Sequence, residues 1–403
     1  MSNSELGIRL REPERTRIAW SRLQEVLGGA EIERVRTLLA GAVDADALLQ
    51  FLVRLAEAHP ETCRRWLASP RIGWWIATLT AASRFLSEEI LRHPEWIDEL
   101  AQDEELHRSR RPREIREDLE EALEPYGPGV PPAVALARFR RRQILRIALR
   151  DLLGYASLAE TVEELSWVAD AILDISYRRI RQELSKRFGI PRFRDASGAW
   201  CPCGFSIIAL GKLGGLELNY SSDIDLMFVY SAPGETEGPE PITNREFFTR
   251  LANQLTDLLS TYTESGKCYR VDLRLRPEGR LGELCVSVEA AQRYYAERAR
   301  DWELQMLIKA RVAAGEPEPG EQLLEFVQPL IYSSTLDFSA VESVSETRAR
   351  IHEKLAARFG PQKGLNVKLA AGGIRDIEFL VQCLQRLHGA RDMWIQHRGT
   401  LLA

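Results

Sequence analysis

The stretch GKLGGLELNYSSDIDLMFVY (211–230) decides the fold. It follows the short apolar run FSIIAL (205–210), and DIDLMFVYS (223–231) alternates as a β-strand does. A strand, a glycine-rich turn and a second strand in so short a distance predict the core of a small α/β module. In such a turn, glycine lets the backbone approach a phosphate chain closely. The glycines concerned are Gly211, Gly214 and Gly215.

Two carboxylates lie within this stretch. Asp223 and Asp225 are two residues apart, so both side chains project from the same face of the predicted strand. Ile224 and Leu226 then point the other way, into a core. Adjacent carboxylates repel each other and are costly unless a cation lies between them, and such oxygen ligands suit Mg²⁺ or Mn²⁺. A lone D-x-D pair, by contrast, is typical of a solvated strand edge.

A third carboxylate, Asp272, lies in CYRVDLRLRP (268–277), whose apolar and charged residues alternate up to a proline. This pattern predicts a strand with Arg270, Arg274 and Arg276 on the same face as Asp272. Two metal ions held by three aspartates form a clamp for in-line phosphoryl or nucleotidyl displacement. We therefore predict a metal site that combines the two early aspartates with the third one.

The sequence on both sides of this module has helical periodicity. The predicted helices include RFRRRQILRIALRDLLG (138–154), SLAETVEELSWVADAILDISYRRIRQELSKRFG (157–189), TNREFFTRLANQLTDLLSTYTES (243–265, capped at Thr243 or Asn244), ETRARIHEKLAARFG (346–360) and GIRDIEFLVQCLQRLHG (373–389). The segment EPYGPGVPP (124–132) is rich in proline and glycine, which indicates a connection between helices. The chain ends inside an apolar pattern without a helix stop signal, which we interpret as a cut.

Composition narrows the class of protein. The 403 residues are 45% hydrophobic and carry a net charge of −5, which excludes a disordered chain and predicts no nonspecific attraction to nucleic acid or anionic membrane. No segment approaches the roughly 20 apolar residues of a membrane span, and the polar N-terminus does not read as a secretory signal. Six cysteines form no disulfide framework, so we expect a cytoplasmic protein.

Lysine is rare in this sequence. Only seven of the 54 basic residues are lysines, and two of them, Lys212 and Lys309, lie inside the motifs. A chain that uses arginine almost everywhere is expected to keep lysine where a compact ammonium is needed. The alternative is chance survival.

Four motifs together resemble one known family. They are GKLGGLELNYSSDIDL (211–226), VDLRLRPEGR (271–280), RDWELQMLIKAR (300–311) and GGIRDIEF (372–379). They are similar to the glutamine synthetase adenylyltransferase/adenylyl-removing family, which belongs to the DNA polymerase β-like nucleotidyltransferases. The resemblance covers about 205–400. Together with the helical and strand patterns, it predicts an α+β, predominantly helical fold in three parts: a helical region 1–195 with an internal boundary near 125–132, a nucleotidyltransferase core 196–315 with a small mixed sheet, and a helical region 316–403.

Members of the family carry two nucleotidyltransferase copies, of which the N-terminal one removes AMP from glutamine synthetase and the C-terminal one attaches it. The adenylylating copy usually reads E-M-T-x-x-S-D-L-D and ends its later motif T-R-A-R. This chain has ELNYSSDID (217–225) and IKAR (308–311), which resemble the removing copy. Ala299 departs from the family pattern, which has glycine there.

The resemblance implies roles for individual residues. Asp223, Asp225 and Asp272 are expected to be catalytic and to hold Mg²⁺ or Mn²⁺. Contacts to phosphate or nucleotide are expected from Lys212, Gly214, Gly215, Ser222, Arg274, Arg276, Lys309 and Arg311. Asp376 and Glu378 begin a predicted helix, where acidic residues are favoured; the alternative is a contact to an arginine or to the metal.

The implied reaction is phosphorolysis, in which inorganic phosphate attacks tyrosine-bound AMP and releases ADP. The implied partners are adenylylated glutamine synthetase, a PII-type nitrogen signal protein, phosphate and ADP or ATP, with neither nucleic acid nor membrane. Two alternatives stay open. One is ATP-dependent adenylyl transfer onto glutamine synthetase, and the other is a helical regulatory platform with a degenerate site.

Overall fold

The computed structural model describes residues 13–104, 106–332, 367–368 and 372–403. They form a predominantly helical α+β protein, which confirms the predicted fold class. The α-helices are α1 Pro13–Val26, α2 Gly29–Ala40, α3 Ala45–Ala58, α4 Pro60–Ala68, α5 Pro70–Ala82, α6 Arg84–Arg92, α7 Glu95–Gln102, α8 Pro112–Leu123, α9 Ala133–Leu152, α10 Leu158–Phe188, α11 Gly211–Gly214, α12 Asn244–Ser260, α13 Val288–Glu297, α14 Asp301–Met306, α15 Pro317–Ile331 and α16 Ile374–His388. The predicted helix over 346–360 lies outside the described residues.

The strands are β1 Ile190–Arg194, β2 Trp200–Pro202, β3 Phe205–Leu210, β4 Ile224–Tyr230, β5 Glu235–Glu237, β6 Val271–Asp272, β7 Cys285–Ser287 and β8 Arg311–Gly315. No helix in the described ranges combines the length and the apolar character needed to cross a lipid bilayer. All six cysteines fall within these ranges and are free thiols.

The chain divides into two compact units, each built from two segments. One unit consists of Met1–Arg110 and Arg140–Glu164, and the other consists of Arg111–Phe139 and Leu165–Ala403. The three-part division at residues 195 and 315 stays a prediction.

The first unit is helical and has a densely packed interior. Leu48, Leu52 and Trp66 are completely buried there. One buried charged cluster in this unit is centred on Glu164, which pairs with Arg146 and, at 2.7 Å, with Arg150. All three side chains are buried, so removal of one partner would strand a charge and cost about 3–5 kcal/mol.

The second unit contains the sheet that carries the predicted site. Its order is β6-β4-β3-β8, with β7 pairing β4. Strand β3 runs antiparallel to β4 and β8, whereas β6 and β7 run parallel to β4. Every residue of β3 is buried, as expected of a short continuous apolar run. Strands β1, β2 and β5 form a separate small sheet that has no counterpart among the predicted elements.

Helix ends follow the predicted signals. The Thr243 hydroxyl accepts a hydrogen bond from the Glu246 amide at 3.2 Å, so Thr243 is the N-cap of α12. Ser157 and Glu160 form a capping box before α10. That helix ends at Gly189, whose φ of +87° and close approach to the backbone of residue 237 leave no room for a side chain.

The predicted strand over 268–277 is wrong for most of its length, because only Val271 and Asp272 pair with β4. The Asp272 carboxylate accepts a hydrogen bond from the Arg274 amide at 2.9 Å, which turns the backbone away from the sheet. Arg276 then holds the following loop by donating to the carbonyl groups of Leu273 (2.6 Å) and Gly282 (3.2 Å). Aspartate turn chemistry therefore overrides the alternating pattern.

Candidate active site

The three predicted aspartates meet where β4 and β6 lie side by side. Asp225 and Asp272 are paired in register between these parallel strands, and Asp223 directly precedes β4. Burial raises the pKa of Asp225 to about 7, and the negative charges of Asp272 and Asp223 add to the rise. Neighbouring carboxylates have this effect on one another when no cation separates them. Ile224 and Leu226 are completely buried, as the strand pattern predicts.

Two arginines neutralise the outer carboxylates. Arg270 donates from Nε to Asp223 Oδ1, and Arg274 donates from Nε to both carboxylate oxygens of Asp272 at 2.9 Å each. The hydrogen bonds from Arg274 lower the pKa of Asp272. Both guanidinium groups are largely exposed, with side-chain exposures of 60% and 62%. The Arg270–Asp223 pair is exposed on both sides and contributes about 0–1 kcal/mol, so it separates easily. The Asp272 side chain is only 16% exposed, so its pair with Arg274 is less open to solvent.

The donor chemistry fits a divalent cation. Three carboxylates converge on one place, and the pKa of the central one is raised by burial and by the negative charges of the other two. In the arginine-paired arrangement, no group of three His, Cys, Asp or Glu side chains among the described residues is positioned to hold a metal ion. A divalent cation at this place would compete with Arg270 and Arg274 for the oxygens of Asp223 and Asp272.

The glycine turn between β3 and β4 contacts the central aspartate. Gly211 has a φ of +55°, and a Cβ atom there would lie 2.5 Å from Asp225 Oδ2. At Gly214 a Cβ atom would collide with the carbonyl oxygen of Lys309. Only glycine meets both conditions, so the turn can pack tightly against the carboxylate site. Lys212 in this turn is half-buried and has no ion-pair partner among the described residues, and its predicted contact with phosphate stays a prediction.

Ser222 supports the turn that precedes Asp223. Its hydroxyl accepts a hydrogen bond from the Asn219 amide at 3.3 Å, and its own amide donates to the Asn219 carbonyl at 3.1 Å. These bonds fix the backbone immediately before the first aspartate. The side chain thus has a structural role, and its predicted contact with phosphate stays a prediction.

Lys309 has partners that differ from those predicted. Its Nζ donates to Glu217 Oε2 at 2.7 Å, to Thr400 Oγ1 at 2.8 Å and to Glu378 Oε1 at 3.2 Å. The side chain is only 5% exposed. An ammonium with three protein oxygen partners has no donor left for another ligand, so in this arrangement the lysine has a structural role and its expected phosphate contact stays a prediction. The lysine joins the glycine-turn motif to helix α16.

Arg311 is also committed to protein oxygens. It pairs with both carboxylate oxygens of Asp170 at 2.8 and 2.9 Å, and it donates to the Leu213 carbonyl from Nη2 (2.9 Å) and Nε (3.2 Å). Arg276 likewise donates to backbone carbonyls. Both guanidinium groups are thus held by protein oxygens, and their predicted phosphate contacts stay predictions. Of the predicted basic residues, Arg274 contacts an aspartate of the site and Lys212 lies in the adjoining turn.

Several residues of the site region had no assigned role in the sequence. Glu217 lies inside the glycine-turn motif, and as an acidic residue it could have been proposed as an ion-pair partner of Lys309. Asp170 lies in the middle of α10 and gives no local signal. Lys368 is near enough for its charge to act against the raised pKa of Asp225. Of the two open residues in GGIRDIEF, Glu378 binds Lys309 and Asp376 accepts a hydrogen bond from the Gly372 amide at 2.9 Å.

Comparison with known protein families identifies the family of this chain. A family model described as glutamate-ammonia ligase adenylyltransferase matches residues 75–326, which is more than half of the sequence. The chain belongs to this family. The family is one of nucleotidyltransferases, in agreement with the aspartates and glycine turn described above. A second model, GlnD PII-uridylyltransferase, matches residues 345–401.

Curated relatives in the glutamate-ammonia ligase adenylyltransferase family are named bifunctional glutamine synthetase adenylyltransferase/adenylyl-removing enzymes. The one from Pseudomonas aeruginosa is 42% identical over 92% of this chain and 36% of its own length. The one from Pseudomonas syringae is 40% identical over 88% of this chain and 34% of its own length. The one from Nitrosococcus oceani is 36% identical over 92% of this chain and 37% of its own length. The chain thus spans about a third of the length of these relatives.

Proposed function

We propose that the chain removes AMP from an adenylylated tyrosine of glutamine synthetase by metal-dependent phosphorolysis. An oxygen of inorganic phosphate forms a bond to the α-phosphorus of the bound AMP, and the bond from that phosphorus to the tyrosyl oxygen breaks. The products are ADP and the tyrosine of glutamine synthetase. A tyrosyl oxygen has a pKa of about 10 and takes up a proton from solvent after it leaves.

One structural observation carries this proposal. Asp225 and Asp272 are register partners beside Gly211, in a chain whose motif reads ELNYSSDID (217–225). The geometry supports nucleotidyl chemistry at the carboxylates, and the wording of the motif supports the removing direction. The names of the relatives include both directions.

The roles of the residues follow from their charges and positions. Asp223, Asp225 and Asp272 would hold Mg²⁺ or Mn²⁺, which would neutralise the phosphoryl oxygens and the leaving tyrosyl oxygen. Arg270 and Arg274, once released from the carboxylates, can donate to phosphate oxygens in the same place. Lys212 adds a further positive charge from the glycine turn. Two anions can be brought together there because these side chains offset their repulsion.

Forward transfer of AMP from ATP is a second candidate function. It is favoured by the description of the matched family as an adenylyltransferase. The same carboxylates would serve either direction, since the bonds made and broken are equivalent. As partners we propose glutamine synthetase and a PII-type signal protein, the latter because residues 345–401 match a PII-uridylyltransferase model. The proposed setting is the cytoplasm, and the proposed consequence is control of nitrogen assimilation.

The test is incubation of the chain with adenylylated glutamine synthetase, Mg²⁺ and inorganic phosphate. ADP should appear in step with the loss of AMP from the protein substrate, and omission of phosphate should stop it. Asp225→Asn is the matched inactive control. AMP released equally fast without phosphate would indicate a hydrolase. AMP moved from ATP onto unmodified glutamine synthetase would establish the second candidate function.

A further inference from the structure

Arg311 connects helix α10 to the glycine turn of the candidate site. Its guanidinium pairs with both oxygens of Asp170 at 2.8 and 2.9 Å, and it also donates to the Leu213 carbonyl at 2.9 and 3.2 Å. A planar guanidinium can make such a double contact only in one orientation. Asp170 therefore sets the orientation in which Arg311 holds the backbone of the turn.

The Leu213 carbonyl is only two residues along the chain from the glycine that packs against Asp225. Leu213 lies two residues after Gly211, whose Cα approaches the Asp225 carboxylate so closely that a Cβ atom would collide with it. The Leu213 carbonyl also accepts a hydrogen bond from the Leu216 amide at 3.2 Å, within the same turn. A shift of this carbonyl would therefore move the backbone that lies against the central aspartate.

Stability alone gives little reason for this ion pair. The side chains of Arg311 and Asp170 are only 12% and 20% exposed, and removal of charges from water offsets much of their attraction. Burial also raises the pKa of Asp170 to about 6 even though Arg311 lies beside it. The carboxylate is thus held in an environment that is unfavourable to its charge, and its ion pair is with Arg311, which begins β8 and contacts the turn.

We propose that Asp170 is a positioning residue for the candidate active site. Through Arg311 it fixes the Leu213 carbonyl and thereby the glycine turn that receives the phosphates of the nucleotide. This inference rests on the proposed function only in taking the nucleotide site to lie at this turn. It does not depend on the direction of the reaction.

Helix α10 offers a matched control one turn further on. Asp174 is also largely buried, at 7% side-chain exposure, and it pairs with Arg178 at 2.9 Å and with Arg116 at 3.5 Å. Its described contacts include the Gly315 amide at 3.5 Å but no atom of the glycine turn. Asp174→Asn and Asp170→Asn therefore remove the same charge from the same helix, and only Asp170→Asn loosens the turn.

The first experiment measures the affinity of each variant for ADP with Mg²⁺ by calorimetry, together with its melting temperature. We expect Asp170→Asn to weaken ADP binding about tenfold or more, because small displacements in a binding site are costly. Asp174→Asn should bind ADP as the wild type does, whatever its melting temperature. Equal ADP affinity of both variants would overturn the inference. So would a wild-type chain that binds no ADP.

A second comparison uses Arg311→Lys, which keeps the charge but cannot contact Asp170 and Leu213 together. It should reproduce the loss seen in Asp170→Asn, and the double variant should lose no more than either single variant. Additive losses would contradict the inference. In activity assays the KM for phosphate should rise more than kcat falls. If the wild type binds ADP yet releases none from adenylylated glutamine synthetase, the proposed function fails while the ADP comparison still tests Asp170.

Discussion

Asp225 and Asp272 are opposed across parallel strands, and the structure treats them differently. Arg274 neutralises Asp272 and lowers its pKa, whereas Asp225 is enclosed between Gly211 and the other carboxylates and has a pKa raised to about 7. Asp272 thus has a positive partner for its charge, whereas the surroundings of Asp225 disfavour its ionised form. An added cation gains the most free energy at Asp225, because its positive charge offsets both the loss of solvation and the repulsion by the other carboxylates.

The first prediction concerns the stability of the metal-free protein. The pKa of Asp225 is higher in the folded state than its ordinary value of 3.8, so the folded protein binds this proton more tightly than the unfolded chain does. The resulting penalty is absent below about pH 4, grows as the pH rises and is complete above about pH 7. Asp225→Asn should remove it and stabilise the protein at pH 8 by at most about 4 kcal/mol.

Denaturant unfolding in the presence of EDTA, at pH 5 and at pH 8, measures this effect. The stabilisation by Asp225→Asn should be clearly larger at pH 8 than at pH 5. Asp257→Asn on the exposed side of α12 is the control and should show no such difference. A variant whose stability relative to wild type does not change with pH would contradict the account given for Asp225.

The second prediction concerns turnover. Asp223→Asn and Asp225→Asn should each abolish release of ADP while the fold is retained, because neither change removes a stabilising partner from the core. Circular dichroism and melting temperature establish the fold, and nucleotide release establishes the activity. Activity similar to wild type in either variant would show that the site has been assigned wrongly.

The third prediction concerns Arg270, one of the two arginines that pair with the carboxylates. Arg270 competes with a metal ion for Asp223, and its positive charge also repels that ion. Arg270→Gln should therefore increase the affinity for Mn²⁺ alone by about two- to fivefold, the size expected of an exposed ion pair. Arg293→Gln, which breaks an exposed pair with Glu289 on α13, is the matched control. Calorimetric titration with Mn²⁺ measures both, and equal or weaker binding by Arg270→Gln would count against competition.

The sequence allowed the elements next to the site to be predicted because their signals are local. Strands β3 and β4 and the N-cap Thr243 follow from patterns within a few residues. Asp272 shows the limit of such patterns, since its hydrogen bond to the Arg274 amide ends the predicted strand. No alternating pattern encodes that competition between a side chain and the sheet.

Contacts between distant residues could not be predicted. Glu217 and Thr400 are 92 and 91 residues away from Lys309, and Asp170 is 141 residues away from Arg311. The rarity of lysine did point to Lys309 as a position that needs a compact ammonium. In the structure its ammonium is buried among three oxygen atoms, and only the folded chain brings those oxygens together.

The last prediction separates the two motif lysines. Lys309→Ala leaves the partly buried carboxylates of Glu217 and Glu378 without their shared cation, which should cost up to about 3 kcal/mol of stability. Lys309→Arg should also lower the melting temperature, because a longer planar group cannot reach the same three oxygens. Its KM for phosphate should stay near that of the wild type. Lys212→Ala should behave in the opposite way, with an unchanged melting temperature and a KM for phosphate raised about tenfold, the effect of one charge-assisted hydrogen bond.

The double variant Lys309→Met with Glu217→Gln is the internal control for this assignment. It removes the ammonium and one of its carboxylates together, so it should be more stable than Lys309→Ala alone. Thermal unfolding and steady-state phosphate kinetics on the same preparations decide the matter. A Lys309→Arg protein with normal stability and a raised KM for phosphate would return Lys309 to the reaction site, and the buried ion-pair role would then have to be abandoned.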